Sequence, residues 1–115
     1  MKNLLNSFKF AFNGIKDILI FERNFRIMIL ISLIVVGGMF YFPLIRLEKA
    51  VLLVMIFSVL ILELMNVIIE KIMDFLQPQH DERVKIIKDL SAAIVLIASF
   101  GAAIIGLIIF LPYIF

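Results

Sequence analysis

The stretch Ala50-Val-Leu-Leu-Val-Met-Ile-Phe-Ser-Val-Leu-Ile-Leu-Glu63-Leu-Met-Asn66-Val-Ile-Ile-Glu70-Lys-Ile-Met-Asp74 decides the fold. It is apolar from Ala50 to Leu62 apart from Ser58, and then admits Glu63, Asn66, Glu70 and Asp74, besides Lys71. At about 100° per residue the first four fall within a stripe roughly 80° wide on one helix face. The stripe runs about 16 Å along the axis, from the interior of the oily stretch to its end. A carboxylate inside a membrane-length helix costs several kcal/mol unless it is paired, protonated or turned to a polar cavity. Polar residues in membrane helices also act as interhelical hydrogen-bond glue, at about 0.6–2 kcal/mol per contact. That explanation suits a lone Asn. Three acids in one line repel one another, and the repulsion has no structural benefit without a cation.

Composition extends this picture to the whole chain. Of 115 residues, 64% are hydrophobic, and the mean hydropathy is +1.19, well above ordinary soluble domains. One small domain cannot bury that much apolar surface internally, so an all-α integral membrane protein is expected. Cysteine is absent and histidine occurs once, which excludes a disulfide framework and thiolate chemistry and argues against a zinc site. No nucleic-acid partner is expected for a chain of net charge +2 dominated by spans.

Three stretches are long enough to cross a bilayer: 27–45, 50–74 and 90–115. The first and third carry no charge, and the third is rich in Ala, Ser and Gly, which permit close helix approach in lipid. Gly37-Gly38 offers the first span the same opportunity. Residues 2–21 read instead as an amphipathic surface helix. Lys2, Lys9 and Lys16 recur every seven residues with Asn6 and Asn13 beside them, while Leu4, Leu5, Phe8, Phe12, Ile15 and Leu19 cover much of the other side. The segment lacks the uniform oiliness and cleavage site of a signal peptide. The N-terminal part and the connection between spans two and three together hold nine of the eleven cations. By the positive-inside rule that side is cytoplasmic, and the acidic stripe opens towards it.

Three charge groups meet at this boundary: Glu22-Arg-Asn-Phe-Arg26, Glu70 with Asp74, and Lys85 with Lys88-Asp89. Carboxylates at a water-accessible depth suit Mg²⁺, which takes one or two of them together with substrate phosphates. Nearby lysines can neutralise phosphate oxygens. Glu63, about 10 Å deeper than Glu70, could meet a hydroxyl at the lipid–water boundary and accept its proton. This combination describes phosphoryl transfer to a lipid alcohol in the bilayer. No Gly-rich phosphate loop is present, which excludes P-loop and protein-kinase folds.

Glu63-Leu-Met-Asn66-Val-Ile-Ile-Glu70-Lys-Ile-Met-Asp74, with Glu22-Arg-Asn-Phe-Arg26 and Lys88-Asp89-Leu-Ser-Ala-Ala, resembles the small prokaryotic diacylglycerol kinases, a family that includes undecaprenol kinases. The resemblance covers nearly the whole chain. It implies a domain-swapped homotrimer in the bacterial inner membrane, with shared active sites at the cytoplasmic surface. It further implies Glu63 as general base, Glu22 and Glu70 as ligands of the Mg²⁺ that accompanies ATP, Asn66 and Asp74 lining the nucleotide site, and Lys88 and Asp89 binding ATP. His80 is a further candidate for nucleotide contact, one position nearer the N-terminus than the family's usual His. Val67 replaces a usual Thr or Ser, Phe10 a frequent Tyr, and Met28 a common His or Gln. The Arg-Asn-Phe-Arg opening of span one leans towards the undecaprenol members, with diacylglycerol as the alternative acceptor. Two other classes compete with the kinase: a proton- or cation-translocating oligomer using the intramembrane acids, and a purely structural or regulatory membrane subunit. The first leaves Glu22, Lys88 and Asp89 without a task, and the second leaves the stripe without one.

Overall fold

A computed structural model describes residues 2–76 and 81–115 of the chain. Within them the protein is all-helical: α1 (Lys2–Phe21), α2 (Arg23–Tyr41), α3 (Arg46–Leu76) and α4 (Glu82–Ile114). The last three are long and apolar enough to cross a membrane.

Each break between helices has a local cause. Glu22 takes an extended conformation between α1 and α2. The end of α1 is closed by Arg26, whose guanidinium donates to the carbonyls of Leu19 (3.0 Å) and Ile20 (2.7 Å). A cation placed on otherwise orphaned carbonyls also complements the helix dipole. α2 ends at Tyr41, four residues short of the apolar stretch that reaches Ile45. The reason is Pro43, which forces the residue before it out of helical geometry: Phe42 lies at φ −91°, ψ 150°.

α3 restarts at Arg46, and the Glu48 carboxylate accepts from the Ile45 N–H at 3.0 Å. At α4 the Asp81 carboxylate accepts from the Arg83 N–H at 2.8 Å, a side-chain cap of the usual kind. Its hydrogen bonds to Arg83 hold the Asp81 carboxyl below its ordinary value.

α3 and α4 run antiparallel and form the main packed pair, with α2 against α3 and α1 against α2. Three polar ties fix their register: Asp74 with Lys88 at one end, Asn66 with Ser91 inside, and Glu48 with the Tyr113 hydroxyl at the other end. At about 1.5 Å per residue α3 is roughly 46 Å long, more than the hydrocarbon thickness, so its last turns can reach the headgroup region.

The apolar contacts form two clusters at opposite ends. Met39, Leu44, Leu52 and Ile109 pack at the far end, and Ile18, Phe25 and Val67 pack where α1, α2 and α3 meet. Gly38 permits the α2–α4 approach, since a Cβ there would lie 3.2 Å from the Phe110 ring. Gly101 and Gly106 have open space beside them within the single chain. The radius of gyration, 17.2 Å, exceeds the roughly 13 Å of a compact domain of this length. Most large apolar side chains are exposed, as expected of surfaces that face lipid or neighbouring helices.

Candidate functional site

The four polar residues of α3 form a gradient of exposure. Glu63 and Asn66 are buried, at 5% and 8% exposure. Glu70, two turns on, is half-buried, and Asp74 is exposed. Apolar neighbours create the buried end: Leu60, Leu64 and Val67 of α3 pack with Ile18 and Phe25 of α1 and α2.

Glu22, at the α1–α2 bend, is half-buried. The bend sets Glu22 in the same cavity wall as Leu64, Val67 and Lys71 of α3. The Lys71 ammonium lies 3.9 Å from the Glu22 carboxylate. Lys71 therefore sits beside Glu22, at the edge of the candidate site. Its being adjacent to Glu70 was the available clue, but only the bend shows which acid it meets.

From α4, Lys88 reaches across to Asp74 at 2.7 Å, and this hydrogen bond raises the Lys88 ammonium above its ordinary value. Asp74 is 65% exposed, so solvent screening leaves the pair little effect on stability. Asp89 is exposed and pairs with Lys85 one turn back on its own helix, at 3.1 Å, rather than with the α3 stripe. His80 lies outside the described residues. Val67, where a hydroxyl was expected, is buried against Ile18 and Phe25.

A hydroxyl enters the site from α4 instead. Ser91, 5% exposed, donates to the Asn66 side-chain oxygen at 2.6 Å. In the sequence Ser91 stood within the Lys88-Asp89-Leu-Ser-Ala-Ala motif and among the small residues of the third span, with no partner indicated.

Among the described residues no group of three or more His, Asp or Glu side chains converges as a metal cage. Glu22 and Glu70 each carry a half-buried carboxylate, the kind of hard oxygen donor that Mg²⁺ takes one or two of, filling its shell with water and phosphate. Beside Glu22 a cavity of about 690 Å³ opens between α1 and α3, lined by Gly14, Asp17, Ile18, Val67 and Lys71 among others.

Three spanning helices, a surface-type helix, and a line of acids running from buried to exposed beside lysines define a multi-pass membrane protein with a site at one end of its helices. The family model for prokaryotic diacylglycerol kinase matches residues 9–110. A diacylglycerol kinase of Synechocystis sp. is 36% identical over 111 residues, covering 96% of this chain and 63% of that protein. An undecaprenol kinase of Bacillus subtilis is 31% identical over 112 residues, covering 97% of this chain and 91% of that one. The chain thus spans a little under two thirds of the Synechocystis relative's length and most of the Bacillus relative's. It belongs to the prokaryotic diacylglycerol kinase family, whose named members are lipid kinases.

Proposed function

We propose that this chain is an ATP-dependent lipid kinase that transfers the γ-phosphate to the primary hydroxyl of a membrane lipid alcohol. The observation that carries this reading is the gradient along α3: Glu63 buried, and Asp74, paired with Lys88, exposed at the opposite end. An acceptor hydroxyl at the edge of the lipid would meet Glu63, while a water-borne nucleotide would meet the exposed end.

In the proposed step the lipid oxygen attacks the γ-phosphorus and its proton passes to the Glu63 carboxylate. A new O–P bond forms, the bond to the β,γ-bridging oxygen breaks, and ADP leaves with that electron pair. Phosphoryl transfer asks mainly for positioning and charge stabilisation. Lys88 would supply a cation for phosphate oxygens, Asn66 and Asp74 would line the nucleotide site, and the family resemblance makes Asp89 and His80 further candidates for nucleotide contact. Glu22 and Glu70 would hold Mg²⁺, which when bound would neutralise phosphate charge.

The family resemblance and the open, flat shape of the single chain support a homotrimer, domain-swapped, with sites shared between protomers. The Lys and Arg distribution supports a cytoplasmic N-terminus and site in a bacterial inner membrane. Undecaprenol is the proposed acceptor, on the Arg23-Asn-Phe-Arg26 opening of α2. Diacylglycerol is the second reading, favoured by the higher identity to the Synechocystis kinase.

Purified protein in mixed micelles with Mg-ATP and a lipid alcohol tests the proposal. Phosphate appearing on the lipid supports it. Proton flux in liposomes without such transfer would instead favour the translocating oligomer.

A further inference from the structure

We infer that Ser91 is a positioning residue for phosphoryl transfer, fixing the Asn66 amide so that its N–H end faces the nucleotide. The inference rests on the proposed placement of Asn66 in the nucleotide site.

A serine inside a helix ordinarily bonds back to the carbonyl four residues earlier. Ser7 and Ser32 of this chain do so, donating to Asn3 at 2.9 Å and to Met28 at 2.7 Å. Ser91 instead donates across the helix interface to Asn66 Oδ1 at 2.6 Å, and both residues are buried. α4 thus holds two members of the α3 stripe from side chains three residues apart on one face, Lys88 on Asp74 and Ser91 on Asn66.

The bond has a directional consequence. A side-chain amide has an accepting end and a donating end of nearly the same shape, and its neighbours decide which end points where. With Oδ1 engaged by Ser91, both hydrogens of Nδ2 are left to donate. Among the described residues no protein acceptor takes them, and no buried polar side-chain atom lacks a partner, so the Nδ2 end keeps access to a ligand. It stands one turn from Glu63 on the same face, and a donor there matches an anionic phosphoryl oxygen. Without the Ser91 hydroxyl the amide could turn over and present Oδ1, which would repel that oxygen.

The test is steady-state kinetics of Ser91→Ala, Ser91→Thr and Asn66→Ala, with ATP and lipid varied separately. Ser91→Ala should lower kcat/KM for ATP roughly three- to tenfold, the scale of one neutral hydrogen bond. Its KM for the lipid should stay unchanged, and Ser91→Thr, which keeps the hydroxyl, should restore most of the loss. An impaired Asn66→Ala beside a silent Ser91→Ala would overturn the Ser91 role alone. Near-wild-type ATP kinetics in Asn66→Ala would remove Asn66 from the nucleotide site and the inference with it. A Ser91→Ala loss that Thr does not restore, or that falls equally on lipid KM, would mark a packing role and also overturn it.

Discussion

The Lys88 ammonium sits 2.7 Å from the Asp74 carboxylate, joining the start of α4 to the last turns of α3 at the exposed end of the acidic stripe. Both groups keep contact with water, so the pair does little for stability. On the proposed function it would hold a cation for phosphate oxygens. We predict that Lys88→Met raises KM for ATP roughly tenfold or more, the scale of a hydrogen bond to a charged group, with little change in thermal stability. Asp74→Asn, which releases the lysine and also changes the lining of the proposed nucleotide site, should raise KM for ATP as well. ATP-dependence curves for the two purified variants check this, and an unchanged KM in Lys88→Met would remove the lysine from the nucleotide site.

Glu22→Gln and Glu70→Gln should shift Mg²⁺ dependence to higher concentrations, since each replaces a charged oxygen ligand by a neutral one. Extra Mg²⁺ should restore part of the activity. Titrating nucleotide binding against Mg²⁺ by calorimetry gives a readout separate from turnover. Curves that overlay the wild type in both variants would count against these two residues as ligands.

Stability should divide from activity along the helices. Leu52 is buried among Met39, Leu44 and Ile109 at the far end. Leu52→Ala should destabilise the protein by about 2 kcal/mol, the low end for such truncations, because lipid rather than water surrounds the packed pair. Melting in detergent should fall while kcat of the folded fraction stays near wild type. A loss of kcat without a drop in melting temperature would mean the two ends are coupled.

Acceptor choice is a ratio of kcat/KM values, best measured with undecaprenol and diacylglycerol competing in one mixed micelle. We expect undecaprenol to be preferred. A clear preference for diacylglycerol would reverse the assignment of acceptor and leave the roles of Glu63, Glu22 and Glu70 untouched.

The spans and the acidic stripe could be read directly from the chain, because hydrophobicity and helical period are local properties. The end of α2 was partly visible in Phe42-Pro43, but the unbroken apolar run to Ile45 hid it. The Asn66–Ser91 bond could not be read, since it depends on the register of α3 against α4 across 25 residues. The meeting of Lys71 with Glu22 was hidden for a similar reason: it needs the bend that the extended Glu22 creates. The small residues of α4 suggested close packing along its length, yet Gly101 and Gly106 face open space in the single chain, and only Gly38 on α2 shows the tight approach. What was lost in each case is pairing between elements, which one-dimensional spacing does not encode.

If Glu63 takes the proton of the acceptor hydroxyl, Glu63→Gln removes that base with little change in side-chain volume. In single-turnover phosphoryl transfer with saturating Mg-ATP and lipid, the variant should be slower by about 10²–10⁴, the usual contribution of a general base, while assembling and binding nucleotide as the wild type does. A Glu63→Gln protein that transfers phosphate at close to the wild-type rate would contradict the account.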